Sequence, residues 1–452
     1  MSFSTYKILK MNKLFKPLWA LLLLALSAPL AVAQEAEAVA SNIDSGDTAW
    51  MLTATVLVLL MTIPGLSLFY GGLVKSKNIL SVLMQCFFIT AVMSILWVIC
   101  GYSLARGPSV ADGGSAFFGD LTNTFLNKLK AGSEEGSMPE SVFVTFQMTF
   151  IIITPALIVG AFAERMKFSA VLIFTTLWAI LSYCPIWHMA WGGGLFSGGD
   201  EGNWLMAAGT GAIDFAGGTV VHINAGVAGL VACIMLGKRK GYPNTLSPPS
   251  SVPFTIIGAA LLWVGWFGFN AGSAVSAGAD AGYAMLTTQI ATAAAVIAWV
   301  AVESLTTGKP TAVGAATGAV AGLVAITPAS GSTDVIGALV IGVASGVLCY
   351  FGATALKKSF GYDDSLDVFG VHGIGGIVGA ILTGVFIREG AGDAGMTQVI
   401  IQAKAVLVTI IWSAVAAVIA LTVAKITVGL RVDEEDEETG LDQSSHGESA
   451  YS

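Results

Sequence analysis

Charged residues are scarce in this sequence. Only 11% of its 452 residues are charged, whereas 55% are apolar. Because a soluble globular domain carries roughly a quarter charged residues, a soluble enzyme is excluded. Basic residues are fewer than acidic residues, 21 against 29, so no basic patch for a nucleic acid is expected.

Proline and cysteine are rare as well. The 13 prolines, and the absence of a G-X-Y period among the 54 glycines, exclude a collagen-like or disordered chain. The cysteines show neither CxxC pairing nor the spacing of metal ligands, and we expect neither a bound metal nor a cofactor. All five occur singly in apolar runs and are predicted to be small core residues: Cys86, Cys100, Cys184, Cys233 and Cys349.

Residues 1–33 have the pattern of a cleaved secretory signal peptide. Four lysines, the last of them Lys16, precede a short apolar segment that extends from Leu18 to Leu30. Ala31-Val32-Ala33 then provides a small-x-small cleavage site. The alternative, an uncleaved membrane helix, would need about 20 apolar residues, and this segment is shorter. Cleavage predicts a mature N-terminus outside the cytoplasm.

The apolar runs that follow predict an all-α membrane protein with eleven transmembrane helices within residues 34–430. Basic residues indicate the orientation, because they concentrate in cytoplasmic loops. With the N-terminus outside, twelve basic residues fall on the side of the C-terminus and five on the other side. We therefore expect a cytoplasmic C-terminus and a location in the inner membrane. The predicted spans begin near Thr48, Asn78, Ser141, Phe168, Ile213, Phe254, Tyr283, Thr311, Asp334, Asp367 and Thr397.

Two histidines share a sequence frame. Asp214 precedes His222 by eight residues and Asp364 precedes His372 by eight, so the pattern D-x7-H recurs after 150 residues. Five predicted spans separate the copies, and an odd number of crossings inverts the second copy. This is the inverted five-plus-five repeat of transport proteins, whose functional residues lie near the membrane midplane. The eleventh span lies outside the repeat.

Helix geometry predicts that the two histidines meet. Along a continuous helix, eight residues separate each aspartate from its histidine by about 12 Å. Asp214 would then lie near the outer mouth, Asp364 near the inner mouth, and His222 and His372 at mid-membrane within hydrogen-bonding reach. Ionisable groups at that depth are costly and indicate function, although two structural histidines are the alternative. His188 lacks the frame and is predicted to be structural.

Aromatic and hydroxyl residues near the outer ends of the spans suggest a small cation as substrate. Aromatic faces attract a cation by roughly 0.5 to 2 kcal/mol each, although single aromatic residues are common at membrane interfaces. No TVGYG filter or acidic ring is present, which argues against a metal cation. Ammonium that enters as a cation and crosses as ammonia, with or without separate proton transfer, fits these residues and two neutral imidazoles.

Two stretches make the resemblance to one family specific. The segments from Asp214 to Ala225 (DFAGGTVVHINA) and from Asp367 to Gly373 (DVFGVHG) resemble the signature stretches of the ammonium transporter (Amt/Mep/Rh) family, within it the bacterial Amt branch. The similarity extends from about Thr48 to the C-terminus. It implies an eleven-helix protomer in a homotrimer, with one pore per protomer. The loop between Gly194 and Asp214 is longer than in the family pattern. This difference in length affects only the shape of the outer vestibule.

The resemblance also implies roles for residues of this sequence. An external site would recruit ammonium, two phenylalanines would form a stacked gate below it, and twin histidines would line the pore. An aspartate required for activity would organise the recruitment site without touching the substrate. The recruitment site would comprise Trp191, Phe150, Phe146 and Ser273; the gate, Phe150 and Phe269; the pore, His222, His372 and Trp266; and the organising acid would be Asp214, with Asp364 as its repeat counterpart.

Residues 431–452 form an acidic tail with eight acids and one base. A run of like charge is usually a solvated, disordered end. Yet Gly440-Leu441-Asp442 and the segment from Ser445 to Tyr451 resemble the cytoplasmic tail of the family. This resemblance implies that a PII-class signal protein docks at the cytoplasmic face.

Three other functions are open at this point. A coupled transporter of a larger solute would need broken helices around a roomy site, whereas the predicted lumen is narrow and apolar. A membrane-embedded metal enzyme would need a third ligand close to the two histidines, and the aspartates are predicted to lie too far away. An ammonium sensor with little flux would use the same residues as a transporter. The net transported species is also open, because these residues would serve transport of NH3 or of NH4+.

Overall fold

The computed structural model describes residues 41–198, 210–244, 248–392 and 394–451. The predicted signal peptide, residues 1–33, lies outside the described residues, as do residues 199–209 of the loop before Asp214. The described chain is almost entirely helical. Its strands form one two-stranded hairpin of β1 (Glu134–Glu135) and β2 (Met138–Pro139).

Eleven apolar helices form the body of the described chain. They are α1 (Ser45–Leu73), α2 (Ser76–Arg106), α3 (Glu140–Phe162), α4 (Phe168–Trp191), α5 (Gly218–Leu236), α6 (Val252–Gly272), α7 (Ala279–Thr307), α8 (Ala312–Ile326), α9 (Val335–Phe360), α10 (Phe369–Thr383) and α11 (Met396–Val428). Nine of these helices are long and apolar enough to cross a membrane, and α8 and α10 are shorter. A further short helix, α12 (Glu434–Thr439), follows in the tail.

Three helices differ from the predicted spans. Helix α5 begins at Gly218 and not at Ile213, because Asp214 accepts hydrogen bonds from the first amides of the helix. Helices α8 and α10 are shorter than the ~20 residues that span a bilayer. Beyond α8 the chain continues through residues 327–333, which are buried and not helical. Non-helical backbone is tolerated at membrane depth where protein surrounds it.

The two copies of the D-x7-H frame adopt the same local structure. The first turn of α5, Gly218–Ile223, and the first turn of α10, Phe369–Gly373, are both π-helical. Each π-helical turn carries the histidine of its copy. Such turns are rare and frequently mark functional sites, so the repeat extends from the sequence to the backbone.

The acidic tail packs against the helical body and is not a disordered end. Leu441 is buried, and its N–H donates to Oδ1 of Asn78 at 2.8 Å. Asp442 is also buried, and its Oδ1 accepts from the N–H of Ser81, near the start of α2, at 2.8 Å. A carboxylate at this position satisfies an amide of the first helical turns and interacts favourably with the helix dipole.

Acidification is expected to loosen the packing of the tail through His446. Its ring contacts Phe168 edge-on, with centroids 5.3 Å apart. Burial lowers the pKa of His446 below its usual range, and the carboxylates of Asp442 and Glu448 oppose this shift. Because the released histidine binds a proton more readily than the docked one, docking should weaken as the pH falls through about 6.5. Hydrogen exchange of tail peptides at about pH 7.5 and about pH 5.5, corrected for intrinsic rates, measures this effect.

His446→Gln is the control for this prediction. It removes the titrating ring, so the protection of its tail peptides should not change over this pH interval. Burial raises the pKa of Asp442, an effect of opposite sign that acts at more acidic pH. Equal protection of the wild-type tail at both pH values would contradict the prediction.

Candidate functional site

Five ring side chains from five helices form a continuous row through the body. Trp191 meets Phe150 edge-on with centroids 6.0 Å apart, and Phe150 lies 4.4 Å from Phe269. Phe269 stacks on His222 at 6.0 Å, and His222 stacks on His372 at 5.4 Å. The structure thus joins residues of the predicted recruitment site, gate and pore in that order.

The Trp191 end of the row lies at a cavity of about 460 Å³, here called the outer cavity. Phe150, Trp191 and Ser273 line it, as do Gln147 and Phe215. The hydroxyl of Ser273 donates to the carbonyl of Phe269 at 2.8 Å, so its oxygen lone pairs can accept a hydrogen bond. The outer cavity therefore combines aromatic surfaces with a hydroxyl acceptor.

Phe146 and Trp266 pack against rings of this row. Phe146 is fully buried and lies 5.1 Å from Phe150, and it does not line the outer cavity. Phe146 therefore packs beside the predicted recruitment site and is not part of the cavity wall. Trp266 stacks on His222 with centroids 5.3 Å apart, and its Nε1–H donates to the hydroxyl of Thr327 at 2.9 Å. These contacts orient Phe150 and His222.

A second cavity, of about 200 Å³ and here called the inner cavity, begins at the other end of the row. His372 lines it together with Tyr70, Asp367 and Arg239. Neither Phe269 nor His222 lines either cavity. Within the described residues, the stacked rings therefore separate the outer cavity from the inner cavity.

The predicted contact between His222 and His372 is confirmed. Their Nδ1 atoms lie 3.3 Å apart, and both residues are buried. In a hydrogen bond between two neutral imidazoles, one Nδ1 donates and the other accepts. One Nε2 is then an acceptor and the other a donor. Nε2 of His222 is buried and has no partner among the described residues, so it can bind a small polar molecule.

Asp214 caps α5 from outside the helix. One carboxylate accepts five hydrogen bonds, from the N–H groups of Gly217, Gly218, Thr219 and Val220 and from the hydroxyl of Thr219. Both oxygens of this buried carboxylate are thus hydrogen-bonded. The predicted 12 Å along one continuous helix is wrong, because residues 214–217 are not helical. The carbonyl of Asp214 also accepts from Nε1–H of Trp191 at 2.7 Å, which links the cap to the row.

Asp364 has the corresponding position before α10. Its carboxylate is fully buried and accepts from the N–H of Phe369 at 2.7 Å, while its Oδ1 has no partner among the described residues. The neighbouring Asp363 pairs with Arg239 at 2.8 Å. Burial alone would raise the pKa of Asp363, but the hydrogen bonds and charge of Arg239 hold it below its usual range. Arg239, which lines the inner cavity, also pairs with Glu164 at 3.2 Å, so it is held by two acids.

Several residues of the outer cavity were missed by sequence reasoning, among them Gln147 and Phe215. Gln147 lies within the run from Phe146 to Phe150, and its Oε1 accepts from Nε1–H of Trp187 at 3.0 Å. A side-chain amide in a largely apolar helical run could have indicated it. Phe215 follows Asp214 directly in the sequence, but its role as a cavity wall depends on how the loop folds.

His188 and four of the five cysteines have the structural roles predicted for them, whereas Cys100 is only half-buried against the core. The ring nitrogens of His188 bind the carbonyls of Ala105 and Ser115 at 2.9 and 2.8 Å. The five cysteines are unpaired, and four of them are buried. Among the described residues, no group of three histidine, cysteine or acidic side chains could hold a metal ion.

Comparisons with known proteins agree on one family. The model of the Ammonium Transporter Family matches residues 49–451. The ammonium transporter of Aquifex aeolicus is 47% identical and covers 95% of this chain and 98% of its own. That of Bacillus subtilis is 45% identical and covers 90% and 98%.

Solved structures have the same fold. The crystal structure of Saccharomyces cerevisiae Mep2 matches with a TM-score of 0.77 and 33% identity, over 87% of this chain and 92% of that one. A structure titled Sensor Amt Protein matches with a TM-score of 0.80 and 29% identity, over 89% and 98%. Sequence and structure together show that the chain belongs to the ammonium transporter family.

Proposed function

We propose that this protein carries ammonium across the inner membrane for nitrogen uptake. In this proposal, α1 to α11 all cross the membrane, with the N-terminus outside and the C-terminus in the cytoplasm. The observation that carries the proposal is the row of rings from Trp191 to His372 between two cavities. Such a row excludes hydrated ions, because stripping an ion of its water costs several kcal/mol.

The first step is recognition of the cation in the outer cavity. Each aromatic face contributes about 0.5 to 2 kcal/mol to binding of a cation, and Trp191 and Phe150 both line this cavity. The hydroxyl of Ser273 can accept a hydrogen bond from ammonium. Because methylated or neutral analogues offer fewer N–H donors or no charge, this site favours ammonium itself.

The second step is passage without the charge. Phe150 and Phe269 lie 4.4 Å apart and present no polar atom to an ion. Ammonium therefore transfers its proton to water on the outer side, and ammonia passes the gate. Beyond it, one histidine Nε2 accepts and the other donates, which suits a molecule that can do both. The proton either stays outside or crosses separately along the imidazoles.

A sensor with little flux is the second candidate. Its support is the likeness to the structure titled Sensor Amt Protein, with a TM-score of 0.80. A sensor would bind ammonium in the same outer cavity. It would differ from a transporter in the amount of ammonium that passes the rings, and a flux measurement separates the two.

Current recording on a solid-supported membrane after an ammonium jump tests the function. Purified protein in liposomes is compared with empty liposomes, and the luminal pH is followed in parallel. A current indicates net movement of charge, and luminal alkalinisation without a current indicates net movement of NH3. Neither signal above that of empty liposomes would refute transport and favour the sensor.

Two partners belong to this proposal. The first is a homotrimer of three such chains, each with its own row of rings. The second is a PII-class signal protein at the cytoplasmic face, next to the acidic tail. Native mass spectrometry with and without a purified PII-class protein tests both: a trimer and a trimer-bound complex are expected.

Trp191→Leu is expected to raise the ammonium concentration for half-maximal transport roughly tenfold, since loss of one favourable ring costs up to about 2 kcal/mol. Discrimination against methylammonium should also fall. The matched control is Trp263→Leu, because Trp263 bonds to Gln289 outside the row. Half-saturation is measured from initial uptake rates in liposomes, and equal values for both variants would contradict a role of Trp191 in recognition.

A further inference from the structure

Helix α11 lies outside the repeat but contacts the loop that carries Asp214. Gln402 of α11 is buried, and its side-chain amide binds both polar groups of Ile213. Its Oε1 accepts from the N–H of Ile213 at 2.7 Å, and its Nε2 donates to the carbonyl of Ile213 at 2.8 Å. The same Nε2 donates to the carbonyl of Ala380 in α10 at 2.9 Å. One side chain thus connects the loop, α10 and α11.

Gln398, one turn earlier on α11, extends this contact. Its Nε2 donates to the carbonyl of Gly211 at 2.9 Å and to Oε1 of Gln402 at 3.1 Å. It is buried as well. Residues 211–217 are not helical, so their backbone groups need partners from elsewhere in the chain. The two glutamines supply these partners from a rigid helix.

The loop held in this way positions the outer site. Ile213 directly precedes Asp214, whose carbonyl accepts from Nε1–H of Trp191 at 2.7 Å. The next residue, Phe215, lines the outer cavity, and its N–H donates to the carbonyl of Pro328 at 3.1 Å. A shift of Ile213 would therefore move the carbonyl of Asp214, to which Trp191 bonds, and the backbone of Phe215.

We propose that Gln402, supported by Gln398, is a positioning residue for recognition of the cation in the outer cavity. The proposal rests on the proposed function, because it assigns the glutamines to the first step of transport. Neither glutamine touches the cavity. Both act through the backbone of residues 211–213, so the repeat depends on the eleventh helix for the geometry of its outer site.

Ammonium uptake into liposomes by Gln402→Leu and Gln402→Glu tests this role. Leucine removes four hydrogen bonds, whereas glutamate keeps the acceptor oxygen and loses the two donated bonds. Both variants should raise the half-saturating ammonium concentration roughly tenfold and change the maximal rate less than threefold, because loss of preorganisation weakens binding. Gln398→Leu loses two hydrogen bonds and should raise the half-saturating concentration less. It provides the test if Gln402→Leu does not fold.

Thr409→Val on the same helix is the matched control. The hydroxyl of Thr409 bonds to the carbonyl of Ala405 within α11, about two helical turns beyond Gln402. This variant should keep the wild-type half-saturation. Hydrogen exchange provides a readout that is independent of transport: peptides covering residues 211–215 should lose protection in the Gln402 variants and not in Thr409→Val.

The outcomes separate the two proposals. A wild type that moves no ammonium refutes the proposed function and, with it, the role of Gln402 in transport. An active wild type, with folded Gln402 and Gln398 variants that keep its half-saturation, refutes the positioning role alone. A fall in the maximal rate at unchanged half-saturation likewise refutes it, because that result indicates a merely structural contact.

Discussion

Asp214→Ala is expected to lower ammonium transport roughly a hundredfold or more, since unsatisfied buried amides cost about 1 to 3 kcal/mol each. The carboxylate accepts five hydrogen bonds from the first residues of α5. Without it, the first turns of the helix that carries His222 lose their cap, and the carbonyl that holds Trp191 is no longer fixed. Uptake into liposomes at saturating and subsaturating ammonium measures the loss.

Asp334→Ala is the matched control for this prediction. Asp334 also caps a helix, α9, and its Oδ1 accepts from the N–H of Gly337 at 2.7 Å. Its side chain is exposed, so its loss should cost only about 1 kcal/mol of stability and leave transport unchanged. Asp214→Asn keeps one acceptor oxygen and should lie between alanine and the wild type. Wild-type transport by Asp214→Ala would show that the cap has no part in function.

His222→Asp is expected to let K⁺ cross a protein whose wild type excludes it. A carboxylate in place of the ring puts a fixed negative charge between Phe269 and His372, which offsets part of the several kcal/mol needed to dehydrate an ion. It also removes the stacking with Trp266 and Phe269 and leaves more room. K⁺ flux down a gradient in liposomes, compared with ammonium flux, measures the change.

His222→Leu separates charge from space in this experiment. Leucine removes the imidazole and adds no charge, so it should cut or alter ammonium flux and admit no K⁺. K⁺ passage through both variants would attribute the effect to space alone. Wild-type K⁺ flux comparable to the ammonium flux would overturn the separation of recognition and passage.

The contact between His222 and His372 could be predicted because two copies of one pattern face each other. D-x7-H is a local signal: an aspartate caps the start of a helix, and a histidine follows in its first turns. Both copies fold in this way, with π-helical first turns. The prediction failed in one respect, since residues 214–217 form a cap and not a helical turn. Spacing alone does not distinguish a cap from the helix that it precedes.

The sequence also indicated which aromatic residues matter, but not how they are arranged. Phe146 and Phe150 are one helical turn apart on α3, so both fit a predicted cavity wall. Only Phe150 lines the cavity, because Phe146 is buried against the backbone of α6 near Gly272. Likewise, the acids of the tail suggested disorder, whereas buried Leu441 and Asp442 bind the start of α2.

Composition and apolar runs were enough to identify a helical membrane protein, because burial in lipid imposes these features on each segment separately. The internal repeat and the contact between the paired histidines followed from the repeated D-x7-H pattern. The order of rings from Trp191 to His372, the support of Ile213 by Gln402, and the separation of the two cavities depend on contacts between helices far apart in the chain. Their hydrogen bonds and packing arise only when α3, α4, α5, α6, α10 and α11 come together, so no single segment carries their signal.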